Sequence, residues 1–117
     1  MRSSQRLASS AGVCVLVLYI AMAAISPITL TEINSAAADA LKLIPGEEAA
    51  GLVTVVCGYT ELAAMNPSNG VYIERLFEAV CKLSEFVMER GRHTLARRLL
   101  LLANDIKRSS PGMSQPA

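Results

Sequence analysis

Residues 66–90 read NPSNGVYIERLFEAVCKLSEFVMER, a turn followed by the most regular helical pattern in the chain. Pro67 cannot continue a preceding helix, and Asn69-Gly70 supplies residues that tolerate a tight reversal. Beyond the turn, Ile73, Leu76, Phe77, Val80, Leu83 and Val87 recur at helical spacing, while Glu74, Glu78, Lys82, Glu85 and Glu89 fall on the opposite side. Glu78 stands four residues ahead of Lys82, the favourable order for an ion pair along a helix. A turn before an amphipathic helix predicts a helical hairpin, with the acidic row as its solvated face.

Upstream, the partner of that hairpin opens at Pro45-Gly46 and carries Glu47 and Glu48 in its first turn, where negative charge suits the helix dipole. Val53-Thr54-Val55-Val56 is a β-branched cluster that would also suit a strand. No partner strand is evident elsewhere in the sequence, so helix is the expectation. Gly51 and Gly58 share an arc with Glu47, Thr54 and Glu61, a notch suited to close approach of another helix, either within the bundle or from a partner.

Further upstream, Ser26-Pro27 and Thr29-x-x-Glu32 place a helix start between Pro27 and Thr31. Ile33, Ala37, Leu41 and Ile44 are its expected inner side. Downstream, Gly91 caps or hinges the third helix, and a last helix over residues 94–107 has Leu95, Leu99, Leu102 and Ile106 as its stripe, widened by Ala96, Leu100 and Ala103. Leu101 projects among Arg97, Arg98, Asp105 and Arg108, either exposed or covered by another chain. Residues 109–117, SSPGMSQPA, have the composition of a frayed end.

The fold class expected is therefore all-α: a small bundle of three to four helices in antiparallel hairpins over residues 27–108, preceded by a hydrophobic signal or anchor within residues 1–26. That leading segment contains residues 13–25, VCVLVLYIAMAAI, with Arg2 and Arg6 the charges ahead of it. A basic start, a short apolar core and small residues after it form the pattern of a secretory signal peptide. Small residues at the −3 and −1 positions put cuts after Ala23 or Ala38. Extended through Ile28 and Leu30, the run approaches the lower limit for a spanning helix, and residues 13–30 would then be a signal anchor. In either case the positive-inside bias sends the bundle across the membrane. An organelle presequence and a buried core helix are the alternatives. Cys14 stands at the start of the apolar run, before it has developed, and Ala11, Gly12 and Val13 ahead of it do not make a lipid-attachment box.

Composition bounds the rest. The chain has 117 residues, enough for one domain; 52% are hydrophobic and 18% charged, with no Trp. The net charge of +1 conceals a gradient. Residues 1–30 hold two Arg and no acid, residues 31–89 hold nine acids against three bases, and residues 90–117 hold six bases against Asp105. Arg90, Arg92, Arg97, Arg98, Lys107 and Arg108 could grip an anionic membrane or a nucleic acid. No aromatic residue is interleaved with them for base stacking, so nucleic acid is disfavoured.

Cys57 and Cys81 lie at similar distances on either side of the turn near Ser68, which makes a disulfide across the hairpin geometrically possible; two buried thiols are the alternative. His93 is the only histidine. It follows Glu89 at i+4 and suits a surface ion pair or a helix end. No cysteine pair has close metal spacing, no nucleophile elbow is present, and Glu47-Glu48 is accounted for by the helix dipole. Neither catalysis, a metal nor a cofactor is expected.

The functional expectation is an exported or membrane-tethered helical protein, secreted, periplasmic or anchored, acting by protein–protein contact as an adaptor, assembly factor or inhibitor. Its contact candidates are Gly51, Gly58 and Leu101, and a homo-oligomer is compatible with it. One alternative is a small membrane-active protein that lyses or permeabilises a bilayer. A second is a binder of anionic membrane or nucleic acid through the basic last helix.

Overall fold

The computed structural model describes residues 25–109. Among them all regular structure is helical: α1 (Pro27–Leu43), α2 (Glu47–Met65), α3 (Gly70–Glu89) and α4 (His93–Ser109). Short connections make successive helices antiparallel neighbours. Each packs on the next, and α1 also packs on α4, so the four close into an up-and-down ring around one core. The expected signal or anchor segment lies outside the described residues up to residue 24; Ile25 and Ser26 are described, and Ile28 and Leu30, to which the anchor reading extends, belong to α1.

The sequence punctuates each helix. Ser26 accepts a hydrogen bond from the Ile28 N–H at 3.2 Å, and Pro27 occupies the first turn. The start thus falls at Ser26-Pro27, the earlier of the two signals, and the Thr31 hydroxyl donates to the Pro27 carbonyl. Asn69 caps α3, its Oδ1 accepting from the Val71 and Tyr72 N–H groups at 3.0 and 3.4 Å. Gly91, at φ 78°, ends the α3 reversal. Its N–H donates to the Met88 carbonyl while that of Arg92 donates to the Val87 carbonyl, the Schellman pattern that needs a left-handed residue at this place. Gly91 is thus a cap that reverses the chain.

The core joins Ile33, Val56, Leu76, Val80, Leu83, Val87, Leu99 and Ile106, all fully buried, with a set of small residues. On α3 the expected stripe holds for Ile73, Leu76, Val80, Leu83 and Val87, whereas Phe77 is half-buried and Ala79, Ser84 and Phe86 join the interior. Ser84 enters because its hydroxyl donates to the Ala96 carbonyl of α4 at 3.0 Å. A small residue lets the backbones approach, and the hydrogen bond offsets burial of the hydroxyl. Thr60 is also buried, its hydroxyl donating to the Val56 carbonyl of its own helix at 2.7 Å.

Two expectations about facing are corrected. On α1 the buried row is Ile33, Ala36, Ala37 and Ala40, and Leu41 is exposed. Alanines allow α1 to nest against both α2 and α4, and this displaces the bulkier Leu41 to the rim. On α4 Leu100 is exposed, leaving Leu95, Ala96, Leu99, Leu102, Ala103 and Ile106 inside. The doubtful segment at residues 53–56 is helical, within α2; burial of Val53 and Val56 outweighs the weak helix propensity of valine. Glu78 pairs with Arg75 at 3.3 Å, not with Lys82.

Polar links tie the ring at two places. Arg98 of α4 donates to Asp39 of α1 at 2.7 Å and to the Ser35 hydroxyl at 3.2 Å. Arg90, at the end of α3, reaches Glu48 at the start of α2 at 3.2 Å, with its guanidinium 4.0 Å from the centre of the Phe86 ring. Both pairs are substantially exposed, and such pairs contribute little to stability. Their value is in fixing which helices are neighbours.

Candidate functional site

Helix α2 carries no charged side chain from Ala49 to Thr60, yet only one side of it faces the core. Its buried row is Ala49, Val53, Val56, Thr60 and Ala63. Gly51, Val55, Gly58 and Leu62, at successive helical spacings, lie on the other side and are exposed. A methyl group built at Gly51 or Gly58 meets nothing within 4 Å. The glycine notch is therefore not a close contact inside the bundle; it opens on the molecule's exterior. Thr54 lies beside it and turns its hydroxyl back onto the Ala50 carbonyl at 2.7 Å, satisfying its polar group locally. The result is an apolar, low-relief strip with the shape of a helix-packing surface.

Leu101, the third contact candidate, is 57% exposed on α4. Leu100 beside it borders a groove with Ser84, Glu85, Met88 and Glu89 of α3. Gly51 and Gly58 lie on α2 and Leu101 on α4, two helices that are not neighbours in the ring, so the structure does not gather the three into one surface. Sequence spacing missed that Val55 and Leu62 complete the α2 strip; the signal was there, since both fall at i+4 from a glycine.

Cys57 and Cys81 are both free thiols, each half-buried. Of the two arrangements the sequence allows, a disulfide or separate thiols, the structure has separate thiols. Cys57 is turned toward α1, in a groove with Leu30, Thr31 and Asn34. Cys81 lies one turn before Ser84, the residue bonded to α4. Helical phase points the two sulfurs toward different neighbours. Burial pushes the Cys57 thiol above its usual range. Burial does the same to Cys81, with Glu85 and Glu78 adding to the shift by opposing a thiolate. Thiols so held are poor nucleophiles at neutral pH.

The six basic residues do not form one patch. Arg90 is held by Glu48, Arg98 by Asp39, and Arg108 lies 3.5 Å from Asp105. Arg92 precedes α4 whereas Lys107 and Arg108 lie in its last turn, so the bases are divided between opposite ends of the bundle. His93 opens α4, exposed, with Nδ1 2.9 Å from the Met88 sulfur, and makes no ion pair with Glu89. A groove of about 320 Å³ between α1 and α4 is lined by Asp39, Lys42, Leu43, Thr94, Leu95 and Arg98. Its volume lies at the lower limit for ligand pockets, and its Arg98 and Asp39 already satisfy each other.

Among the described residues no cluster of three or more His, Cys, Asp or Glu side chains is placed to hold a metal ion. No helix among them is long and apolar enough to cross a membrane. Comparison of the chain with protein-family models, with curated proteins and with solved structures gives no match. The outer strip of α2 is an uncharged, exposed surface on a helix whose other side is in the core.

Proposed function

We propose that the chain is an exported or membrane-tethered four-helix domain that acts by contact with a protein partner, using the outer strip of α2. The observation behind this is the exposure of Gly51, Val55, Gly58 and Leu62 on a helix uncharged from Ala49 to Thr60. A solvated helix face ordinarily carries charge, as α3 does with Glu74, Glu78, Lys82 and Glu85. Glycines at this spacing let a second helix approach closely, so the partner element is a helix with an apolar ridge. Export or tethering is supported by the sequence of residues 13–25 and the acid-free segment ahead of it.

Fractionation with intact-mass measurement tests the compartment; the full-length, uncleaved chain free in the cytosol would overturn that part. Site-specific photo-crosslinking in the native host tests the surface. A probe at Val55 is expected to give one defined protein adduct and a probe at Glu74 none. Equal labelling from both positions would sink the α2 assignment.

A further inference from the structure

The two ends of the bundle differ in chemistry. At the end where the described chain begins, Ile25 is buried and lines a groove with Pro27, Leu30, Ala63, Ala64 and Pro67. This end is formed by the first turns of α1 and α3 and the last turns of α2 and α4. Residues 25–31 and 62–73 contain no charged side chain. Ile28 and Met65, both 72% exposed, and Val71, 59% exposed, are the most exposed large hydrophobic residues described, and all three are at this end. They stand in the first turn of α1, the last position of α2 and the first turn of α3.

The bases at this end are on the α4 edge, while Glu32, Glu61 and Glu74 stand about one turn in from Ile28, Met65 and Val71. The Ser84–Ala96 bond sets the register of α3 and α4. Tyr72 lies as far along α3 below Ser84 as Arg108 lies along α4 beyond Ala96, so Lys107 and Arg108 flank the apolar tips. Both are exposed, and only Arg108 has an acidic neighbour, Asp105. The opposite end carries Lys42, Glu47, Glu48, Glu89, Arg90 and Arg92, all exposed. It has the mixed charge of a wet surface.

We propose that the end bearing Ile28, Met65 and Val71 rests on the surface of an anionic lipid bilayer, standing the bundle upright on the membrane. Two observations choose lipid over another occupant. The strongly apolar residues 13–24 lead directly into Ile25, so a tether made of them would deliver this end, and no other, to the bilayer. Lys107 and Arg108 meet phosphate headgroups while the aliphatic tips enter the interfacial layer, the division of labour of interfacial anchors, and half-buried Tyr72 suits the same depth. The inference rests on the tethered form of the proposed function. Upright docking also leaves the outer strip of α2 parallel to the membrane normal and open to a helix of a neighbouring membrane protein.

The test uses the full chain, which has no tryptophan of its own. Met65→Trp and Leu43→Trp place a fluorophore at an exposed position near each end. Each variant is reconstituted with phosphatidylcholine vesicles, with and without phosphatidylglycerol, and quenched with brominated lipid. Docking predicts several-fold stronger quenching for Met65→Trp than for Leu43→Trp, and a further gain with phosphatidylglycerol that Lys107→Glu with Arg108→Glu abolishes. Flotation of the vesicles reads the tether separately. Protein that floats with neither probe quenched keeps the tether and overturns the docking; protein that does not float overturns both. Equal quenching of the two probes overturns upright docking, as does a blue-shifted but unquenched Met65→Trp, which would mean that protein covers this end.

Discussion

Cys57 follows Val56, and Cys81 follows Val80, by one residue; each valine is fully buried and each cysteine is not. One position on a helix rotates a side chain by about 100°, enough to move a thiol from the core to its margin. Both thiols stay protonated to higher pH than a free cysteine. Such a group contributes stability fully below the ordinary thiol range, and the contribution is lost as pH rises through the raised folded value. Alkylation of the native protein at mildly alkaline pH should therefore lag behind that of the unfolded chain at both sites. Glu85→Gln, and to a smaller degree Glu78→Gln, should speed reaction at Cys81 and leave Cys57 unchanged; mass spectrometry of a timed iodoacetamide reaction distinguishes the two peptides. Gly91 offers a second test at this scale. Its positive φ disfavours any side chain, so Gly91→Ala should cost about 1 kcal/mol, seen as a lowered urea midpoint.

Helices are where the sequence was most readable and also where it misled. The stripe of α3 was legible because Ile73, Leu76, Val80, Leu83 and Val87 are large and its outer row is charged, so the two sides contrast. On α1 the contrast is absent. Alanine is compatible with either side, and only the packed neighbours decide that Ala36 and Ala40 are inside and Leu41 is not. Ser84 was unreadable for a related reason: its burial depends on a carbonyl twelve residues away in α4. On α2 the spacing of Gly51 and Gly58 announced a notch, while which side it opened on depended on the phase of the whole helix. Alanine at either position meets no neighbour and should stabilise the isolated protein by about 0.5–1 kcal/mol through better helix propensity. If a partner helix packs there, the same substitutions should weaken the complex. A rise in melting temperature together with a loss of the Val55 crosslink would be the signature; a rise alone would count against the surface. For the α3–α4 contact, Ala96→Leu should be more damaging than Ser84→Ala, which removes one hydrogen bond at about 1 kcal/mol, because the larger side chain must force two backbones apart.

At the scale of the molecule, the four helices share one core, so loss of a central side chain should be felt everywhere. Leu76→Ala and Leu99→Ala each remove a fully buried side chain from neighbouring helices and should cost between about 2 and 5 kcal/mol. Urea melts followed by circular dichroism and by tyrosine fluorescence should shift together in each variant. The ring also has an uneven history of assembly. Three of its four sides join helices adjacent in sequence, and such contacts close with little loss of chain entropy. The fourth, α1 on α4, brings together residues as distant as Asp39 and Arg98, and α1 contributes chiefly alanines to it. That side is the seam of the barrel. Loops that must close over long separations form late, and helices that bury little apolar surface open first. Native-state hydrogen exchange should then find the amides of α1 released at lower free energy than those of α3. A domain built this way can unlatch one stave while three stay packed, briefly baring Leu95, which lines the α1–α4 groove, to whatever is near.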